Sequence, residues 1–328
     1  MKAMVLRAPG PISAPLALED VDLGPRASSD IRVRVLACGV CRTDLHIVTG
    51  ELPPKHPWII PGHQIVGEIV EANDRTRVGK RVGVSWLGGV DGTCQFCRSG
   101  FENLCDHPVF TGYDRNGGYA EYADVRSDFA LDLPVELGVL EAAPLLCAGI
   151  IGFRALRVAG VARGERVGLF GFGASAHLAA QVLRHWECEI FVSTRGASHQ
   201  ALARSFGVSW VGDATETPPE RLDRAVTFAP SGDVVVAALS SLRKGGVVAI
   251  NAIHLDKMPE FDYDTLLWGE RQIRSVANMT REDARDFLAL AVDIPIVASL
   301  KTFPLAQANQ ALQAVAADAV DGAAVLVP

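Results

Sequence analysis

The period of apolar and polar positions changes near residue 165. Before that point, short stretches alternate every second residue, as half-buried strands do. They lie at residues 3–6, 16–18 and, most clearly, at Ile31-Arg32-Val33-Arg34-Val35-Leu36, separated by Pro- and Gly-rich turns. Further strands are expected over 65–71 and 81–86, with Gly79-Lys80 at the turn. Residues 108–122 set Gly112, Gly117 and Gly118 among aromatic side chains, a composition of turns. Around Cys147 the pattern becomes apolar and helical, from 141 to about 158, and it breaks at Gly160 and Gly164. From 166 onward short apolar strands alternate with helical stretches, a βαβ grammar that predicts a parallel sheet. Its segments are 166–170, 188–192, 210–211, 222–228, 246–252 and 273–277, with helices at 177–186, 202–206 and 234–242. A helix at 282–292 and a segment at 306–317 precede a closing strand at 324–327. The fold class expected is α/β, with a β-rich domain followed by a doubly wound parallel sheet.

Composition narrows the function. A chain of 328 residues, 49% hydrophobic and 21% charged, is expected to form two domains and to bury a core without disulfides. A net charge of −7 gives no basic footprint for nucleic acid or an anionic membrane surface. The N-terminal MKAMVLRAPGPI has no apolar h-region, so no secretory signal is expected. Unbroken apolar runs such as 234–239 are too short to cross a bilayer. Seven cysteines, three of them clustered at 94, 97 and 105, indicate metal binding in a reducing compartment, with the cytoplasm as default.

The candidate chemistry centres on Ala37-Cys38-Gly39-Val40-Cys41-Arg42-Thr43-Asp44-Leu45-His46, together with Pro61-Gly62-His63-Gln64 and Cys147. Cys41, His63 and Cys147 offer two thiolates and an imidazole. Three protein ligands leave the fourth tetrahedral position of a zinc ion open, which marks a catalytic site. Taken singly, each is more simply a buried cysteine or a core histidine; the three together with their motifs favour metal. A second cluster has the spacing Asp91-x2-Cys94-x2-Cys97-x7-Cys105. A structural zinc needs four closed ligands, and Asp91 stands where the fourth donor is required. The alternative is a lobe that has lost its metal and keeps free thiols. A DNA-reading finger is disfavoured, because the chain is acidic and the lobe has no cluster of Lys and Arg.

Arg166-Val167-Gly168-Leu169-Phe170 runs into Gly171-Phe172-Gly173-Ala174-Ser175-Ala176 and then a helix. A GxGxxA turn between strand and helix is the setting of a dinucleotide fingerprint. Gly171 permits the tight turn, Gly173 admits a pyrophosphate to the backbone, and the helix N-terminus favours its charge. A ligand-free glycine turn is the plain alternative. The next strand ends at Ser193-Thr194-Arg195, with His199 close behind and no carboxylate for a ribose 2′-hydroxyl. Two hydroxyls and a guanidinium suit a 2′-phosphate, which favours NADP(H) over NAD(H). Otherwise Arg195 is a solvated loop residue.

In combination these motifs resemble the zinc-dependent medium-chain alcohol dehydrogenases, and more closely their cinnamyl-alcohol-dehydrogenase-like bacterial branch. The resemblance rests on residues 39–46, Pro61-Gly62-His63, the 94/97/105 cysteines, Cys147-Ala148-Gly149 and the 171–176 turn, and it covers essentially the whole chain. Cys₂His is the donor set known for catalytic zinc in alcohol dehydrogenases, so the assignment of Cys41, His63 and Cys147 leans on the family. The resemblance implies a GroES-like catalytic domain at 1–150, completed by 278–328, and a Rossmann domain at 151–277. It makes Thr43 the proton-relay hydroxyl, His46 the relay imidazole, Asp44 the carboxylate orienting His63, and Arg42 a pyrophosphate contact. It further implies a homodimer or homotetramer. Four positions depart from the pattern: Gln64 replaces a glutamate, Asp91 a cysteine, Ile151 a threonine near the nicotinamide, and Ala176 the third glycine.

The activity expected is hydride transfer between NADP(H) and a primary alcohol or aldehyde. Trp58, Trp86, Phe110, Tyr113 and Trp268 are candidates to wall an apolar pocket for aromatic or medium aliphatic substrates, though each fits a core role equally. Two other readings stay open. One is a zinc-free quinone or enoyl reductase of the same fold; the other is a non-enzymatic nucleotide-binding redox sensor.

Overall fold

The strand Asp30–Val40 organises the first part of the computed structural model, which describes residues 1–294, 296–320 and 322–328. Its first half alternates, with Ile31, Val33 and Val35 buried and Arg32 and Arg34 facing outward; residues 37–40 are buried on both faces. Two strands share one of its edges. Tyr122–Arg126 pairs with residues 30–34, and Ala323–Val327 pairs with residues 38–40. On the other side runs Gln64–Glu71, antiparallel, in a register that sets Gly39 opposite Gln64. The sheet order is Leu300–Pro304, Ala323–Val327, Asp30–Val40, Gln64–Glu71, Arg81–Val84 and Leu131–Asp132. The strand Leu300–Pro304 has no counterpart in the sequence reading. Its Lys301 and closing Pro304 disguise it, and both are tolerated because it is an edge strand.

The chain divides into two compact units, Met1–Cys147 with Asn278–Pro328, and Ala148–Ala277. The division falls at 147/148 rather than 150/151, inside one helical run that has no break in pattern to mark it. That run, Val139–Ala159, is long and apolar enough to cross a bilayer, which a scan for unbroken apolar letters passes over. It is 67% buried inside the protein, so its apolar faces are core. Within it, Val139–Pro144 and Ile150–Ala159 are α-helical, while Leu145–Gly149 widens into a π turn that carries Cys147. Single π turns are recurrent features of functional sites.

The second unit holds six parallel strands in the order Trp210–Gly212, Glu189–Ser193, Arg166–Phe170, Leu222–Thr227, Leu242–Ile250 and Gln272–Ser275. This is the doubly wound order that reverses direction beside its first strand, where open α/β sheets bind ligands. Arg166–Phe170, Glu189–Ser193 and the second half of Leu242–Ile250 are buried apolar runs, as burial on both faces requires, whereas the edge strand Gln272–Ser275 is polar and mostly exposed.

The cysteine lobe of the first unit is a short helix, Gln95–Arg98, and a single 3₁₀ turn, Glu102–Leu104. It is tied to the Arg281–Asp293 helix through Glu102, whose carboxylate accepts from the Arg281 guanidinium at 2.6 Å and from its backbone N–H at 2.7 Å. The same guanidinium lies 4.3 Å from the centre of the Phe129 ring. Burial opposes the Glu102 charge, but the bonds to Arg281 outweigh it and hold the carboxyl below its ordinary value of 4.5. A depressed carboxyl stabilises the fold above its unfolded value and loses that contribution as pH falls through the lower folded value. Glu102→Gln is therefore expected to cost about 1 kcal/mol at neutral pH, since the pair is bidentate but partly solvated. Denaturant unfolding at pH 7 and again below pH 4 should show that gap shrinking in acid.

Candidate active site and cofactor turn

Cys41 leaves the end of strand Asp30–Val40 as the N-cap of helix Arg42–Thr49, and His63 immediately precedes strand Gln64–Glu71. Because those strands are antiparallel with Gly39 opposite Gln64, both residues emerge at the same end of the sheet. A glycine clasp fixes the second of them. Gly117, Gly118 and Tyr119 donate backbone N–H groups to Ile60, Gly62 and Pro61, and Gly62 has φ 96°, a left-handed value suited to glycine. A Cβ at Gly62 would lie 2.3 Å from the Tyr119 ring, and one at Gly117 would lie 2.1 Å from the Gly62 carbonyl.

The structure brings Cys41, His63 and Cys147 together, with donor atoms all within 4.8 Å of one another. Cys41 Sγ is 3.4 Å from His63 Nε2. Tetrahedral zinc with Zn–S near 2.3 Å and Zn–N near 2.0 Å requires an S···N separation of about 3.5 Å, so these donors fit the ion. His63 Nδ1 meets Asp44 Oδ1 at 3.2 Å, while Asp44 Oδ2 accepts the backbone N–H of Cys41 at 2.9 Å. Both His63 and Asp44 are 0% exposed. With Nδ1 committed to the carboxylate, Nε2 is the nitrogen left to a metal.

Charges in this pocket are strongly displaced. Burial opposes a charged His63, but the fields of Asp44 and Cys41 and hydrogen bonds to both raise it to about 10. A hydrogen bond from Cys147 is the largest influence holding Cys41 well below the ordinary thiol value, and the same bond, with burial, holds Cys147 well above it. Burial leaves the Asp44 carboxyl above its usual value although His63 pulls it down. His63 and Asp44 are wholly buried there, while Cys41 and Cys147 are half-buried.

Thr43 and His46 are one turn apart on the Arg42–Thr49 helix, Thr43 buried and His46 half-buried. His46 Nδ1 is 2.6 Å from Glu51 Oε2, just beyond the Gly50 cap. Glu51 is a residue sequence reasoning missed, because an acidic residue after a helix-ending glycine looks like surface charge. Arg42 is exposed and pairs with Asp318 at 3.6 Å. Gln64 is buried, and its Nε2 has no hydrogen-bond partner among the described residues. Trp86 stands edge-on to His63 at 5.2 Å and stacks on Phe110 at 4.8 Å and on Tyr113 at 6.0 Å. Trp58 packs on the same core, whereas Trp268 belongs to the other unit, is 64% exposed and leans on Tyr263.

In the lobe, donor atoms of Asp91, Cys94, Cys97 and Cys105 also lie within 4.8 Å of one another. Asp91 Oδ1 accepts from the N–H groups of Thr93 and Cys94, which hold its carboxyl far below the ordinary range. Backbone N–H groups point at the sulfurs of Cys94 and Cys105 at 3.4–3.5 Å, an arrangement that stabilises thiolates. The four residues can hold an ion with a closed shell.

In the second unit, Gly171 takes φ 96° and a Cβ at Gly173 would meet nothing within 4 Å, so the backbone there is open to a phosphate. Ala176 is buried in the twelve-residue helix Ala174–His185 that follows. Ile151 is half-buried at the start of helix Ile150–Ala159. Ser193 and Thr194 are buried, the Ser193 hydroxyl turning to the Glu216 carbonyl, while Arg195 is exposed and His199 half-buried.

Comparison with known proteins identifies the family. Residues 27–135 match the alcohol dehydrogenase GroES-like domain, and residues 176–293 match the zinc-binding dehydrogenase domain. Over 336 aligned residues the chain is 45% identical to the "Probable alcohol dehydrogenase AdhA" of Mycobacterium tuberculosis, covering 100% of this chain and 97% of that one. It is 32% identical to an alcohol dehydrogenase of Geobacillus stearothermophilus, covering 99% of each. The crystal structure of the alcohol dehydrogenase from Aeropyrum pernix superposes with a TM-score of 0.84 at 26% identity, covering 100% of both chains. The chain belongs to the zinc-type medium-chain alcohol dehydrogenase family, with a GroES-like unit and a Rossmann-like parallel sheet. It is an alcohol dehydrogenase of the zinc-binding class.

The clasp behind His63 yields a direct test. Gly62→Ala would force a left-handed alanine into the Tyr119 ring, and is expected to destabilise the protein by about 3 kcal/mol. Urea unfolding measures that cost, and counting metal per chain should show occupancy falling with it.

Proposed function

We propose that this alcohol dehydrogenase is zinc-dependent, prefers NADP(H), and interconverts primary alcohols and aldehydes with aromatic or medium-chain aliphatic side chains. The observation that carries the reading is the convergence of Cys41, His63 and Cys147, with Asp44 fixing the histidine. In this reading those three hold the catalytic zinc, and Asp91, Cys94, Cys97 and Cys105 hold a structural one.

When bound, zinc supplies Lewis acidity at the substrate oxygen, and the nicotinamide supplies or accepts the hydride. The chain's own residues do the rest. Thr43 takes the hydroxyl proton of the alcohol and hands it towards His46, which shares its helix face. Glu51, bonded to His46 Nδ1, fixes the ring's tautomer and steadies the charge the imidazole gains. His46, half-buried, then releases the proton to solvent. The stacked rings of Trp86, Phe110 and Tyr113 beside His63 support a preference for flat or long apolar substrates.

The Gly171–Ala176 turn would cradle the pyrophosphate at the N-terminus of helix Ala174–His185. Arg195, with no carboxylate between residues 193 and 199, supports a 2′-phosphate; Ser193, Thr194 and His199 complete that loop. The exposed edge strand Gln272–Ser275 supports a homodimer or homotetramer.

The test is an alcohol and aldehyde screen with NADPH and NADH on protein of counted zinc content. Cys41→Ala should abolish turnover while NADPH still binds; full activity in that variant would overturn the reading. Arg195→Ala should raise KM for NADPH on the order of tenfold, the value of one charge-assisted phosphate contact. KM for NADH should not move.

A further inference from the structure

Between helix Arg42–Thr49 and strand Gln64–Glu71 the chain runs as a strap, Leu52-Pro53-Pro54-Lys55-His56-Pro57-Trp58. Its prolines fix φ at their positions and leave the segment little freedom to lose on folding. The strap is fastened to the turn that follows strand Val109–Phe110. Lys55 Nζ donates to Asp114 Oδ1 at 2.6 Å, His56 Nε2 lies 2.9 Å from the Asp114 carbonyl oxygen, and the Tyr113 hydroxyl donates to the Pro53 carbonyl at 2.7 Å. Asp114 also holds its own turn. Its second carboxylate oxygen accepts the Phe110 N–H at 2.7 Å, and its N–H returns to the Phe110 carbonyl at 2.8 Å. The side chain of Asp114 is 15% exposed against 46% for Lys55, so the carboxylate is the shielded half of the pair.

The residues gathered at Asp114 are the ones that pack on Trp86. Phe110 stacks on Trp86 with the planes 12° apart, Tyr113 with the planes 23° apart, and Trp86 turns its edge to His63. Phe110 pairs with Leu87, the residue after Trp86, so the main chains are in register and the tilt of the rings is what remains to be set. Lys55 Nζ lies 4.7 Å from the centre of the Tyr113 ring and 6.0 Å from that of Phe110. A cation over an aromatic face is drawn to its quadrupole. Ammonium, carboxylate and tyrosine hydroxyl together hold the rings from the strap. A partly exposed ion pair contributes little to stability by itself; its place against the stack is what points to function. Trp86 and Phe110 are only half-buried, so part of the ring surface stays open.

We propose that Lys55 and Asp114 are positioning residues for substrate specificity, their ion pair locking the strap against the Trp86, Phe110 and Tyr113 rings so that the stack is held ready for a flat substrate beside His63. The inference rests on the reading of that stack as the substrate wall. A wall set in advance spares a flat ligand the entropy of ordering the side chains it meets, whereas a short aldehyde covers too little of the rings to gain from it. Loosening the lock therefore weakens binding of the aromatic substrate and leaves kcat close to its value, the pattern of lost uniform binding.

The experiment measures KM and kcat for benzaldehyde and for acetaldehyde on the full chain of counted zinc content, as wild type, Lys55→Met, Asp114→Asn and the double variant. Each single variant is expected to raise KM for benzaldehyde roughly three- to tenfold, the range of an ion pair joined to a cation–π contact. KM for acetaldehyde and both kcat values should stay within about twofold. The double variant should fall short of the product of the two singles, because both remove one contact. Near-ultraviolet circular dichroism gives a readout free of turnover: the band that Trp86→Phe loses belongs to the stack, and each single variant should weaken it. An unchanged KM for benzaldehyde, an equal rise for the two aldehydes, or an unaltered stack band would overturn the proposal. A wild-type protein that does not turn over benzaldehyde, or shows no lower KM for it than for acetaldehyde, refutes the substrate-wall reading itself, a result distinct from failure of the lock.

Discussion

The buried contact between Asp44 and His63 is the constraint on which the site depends. A carboxylate and an imidazole that are both 0% exposed cannot call on water, so each must satisfy the other. The geometry turns that necessity into direction: Nδ1 goes to Asp44, and Nε2 is left facing Cys41 Sγ at 3.4 Å. The fields and hydrogen bonds there raise His63 to about 10, and hold Cys41 below and Cys147 above the ordinary thiol value. A metal must displace the protons these groups hold to enter. Its uptake therefore releases acid and strengthens as pH rises towards the histidine's folded value.

What brings the donors together is the β-sheet's register, since a shift of one residue in the pairing of Gly39 with Gln64 would send His63 to the wrong face. The helix that begins at Arg42 adds a second fixed direction, because Asp44 closes a capping box on the Cys41 backbone and so binds the carboxylate to the ligand-bearing turn. Cys147 arrives by a different route, on a π turn within a long apolar helix. The extra residue in that turn alters the direction its thiol takes from the helix axis.

Much of this was legible in the sequence, for identifiable reasons. Strand Asp30–Val40 announced itself through the Ile31–Leu36 alternation, and the Rossmann-like strands through apolar runs separated by glycine. The last four residues of that first strand did not alternate, because both of their faces are buried. The strand Leu300–Pro304 was hidden by a lysine and a proline that only an edge position tolerates. In the site, residue types and motifs pointed to Cys41, His63 and Cys147, which the structure brings together, although each taken singly reads as a core residue. Glu51, Tyr119 and the glycine clasp were not legible. Their meaning comes from what folding places beside them.

The two cysteine clusters illustrate two ways of making a metal site. In the lobe all four donors fall between residues 91 and 105, joined by short turns whose backbone N–H groups already point at sulfur. A metal there closes a small loop, so ion and local fold stabilise each other, and a carboxylate in place of one thiolate changes the donor without disturbing the turn. Cys41, His63 and Cys147 come instead from a strand end, a clasped loop and a π turn, and His63 and Asp44 are wholly buried. There the donors are held by the sheet and its glycines rather than by one short loop. That arrangement leaves the fourth position open, because a frame set by the fold need not be completed by protein ligands, and a substrate oxygen can take the place they leave.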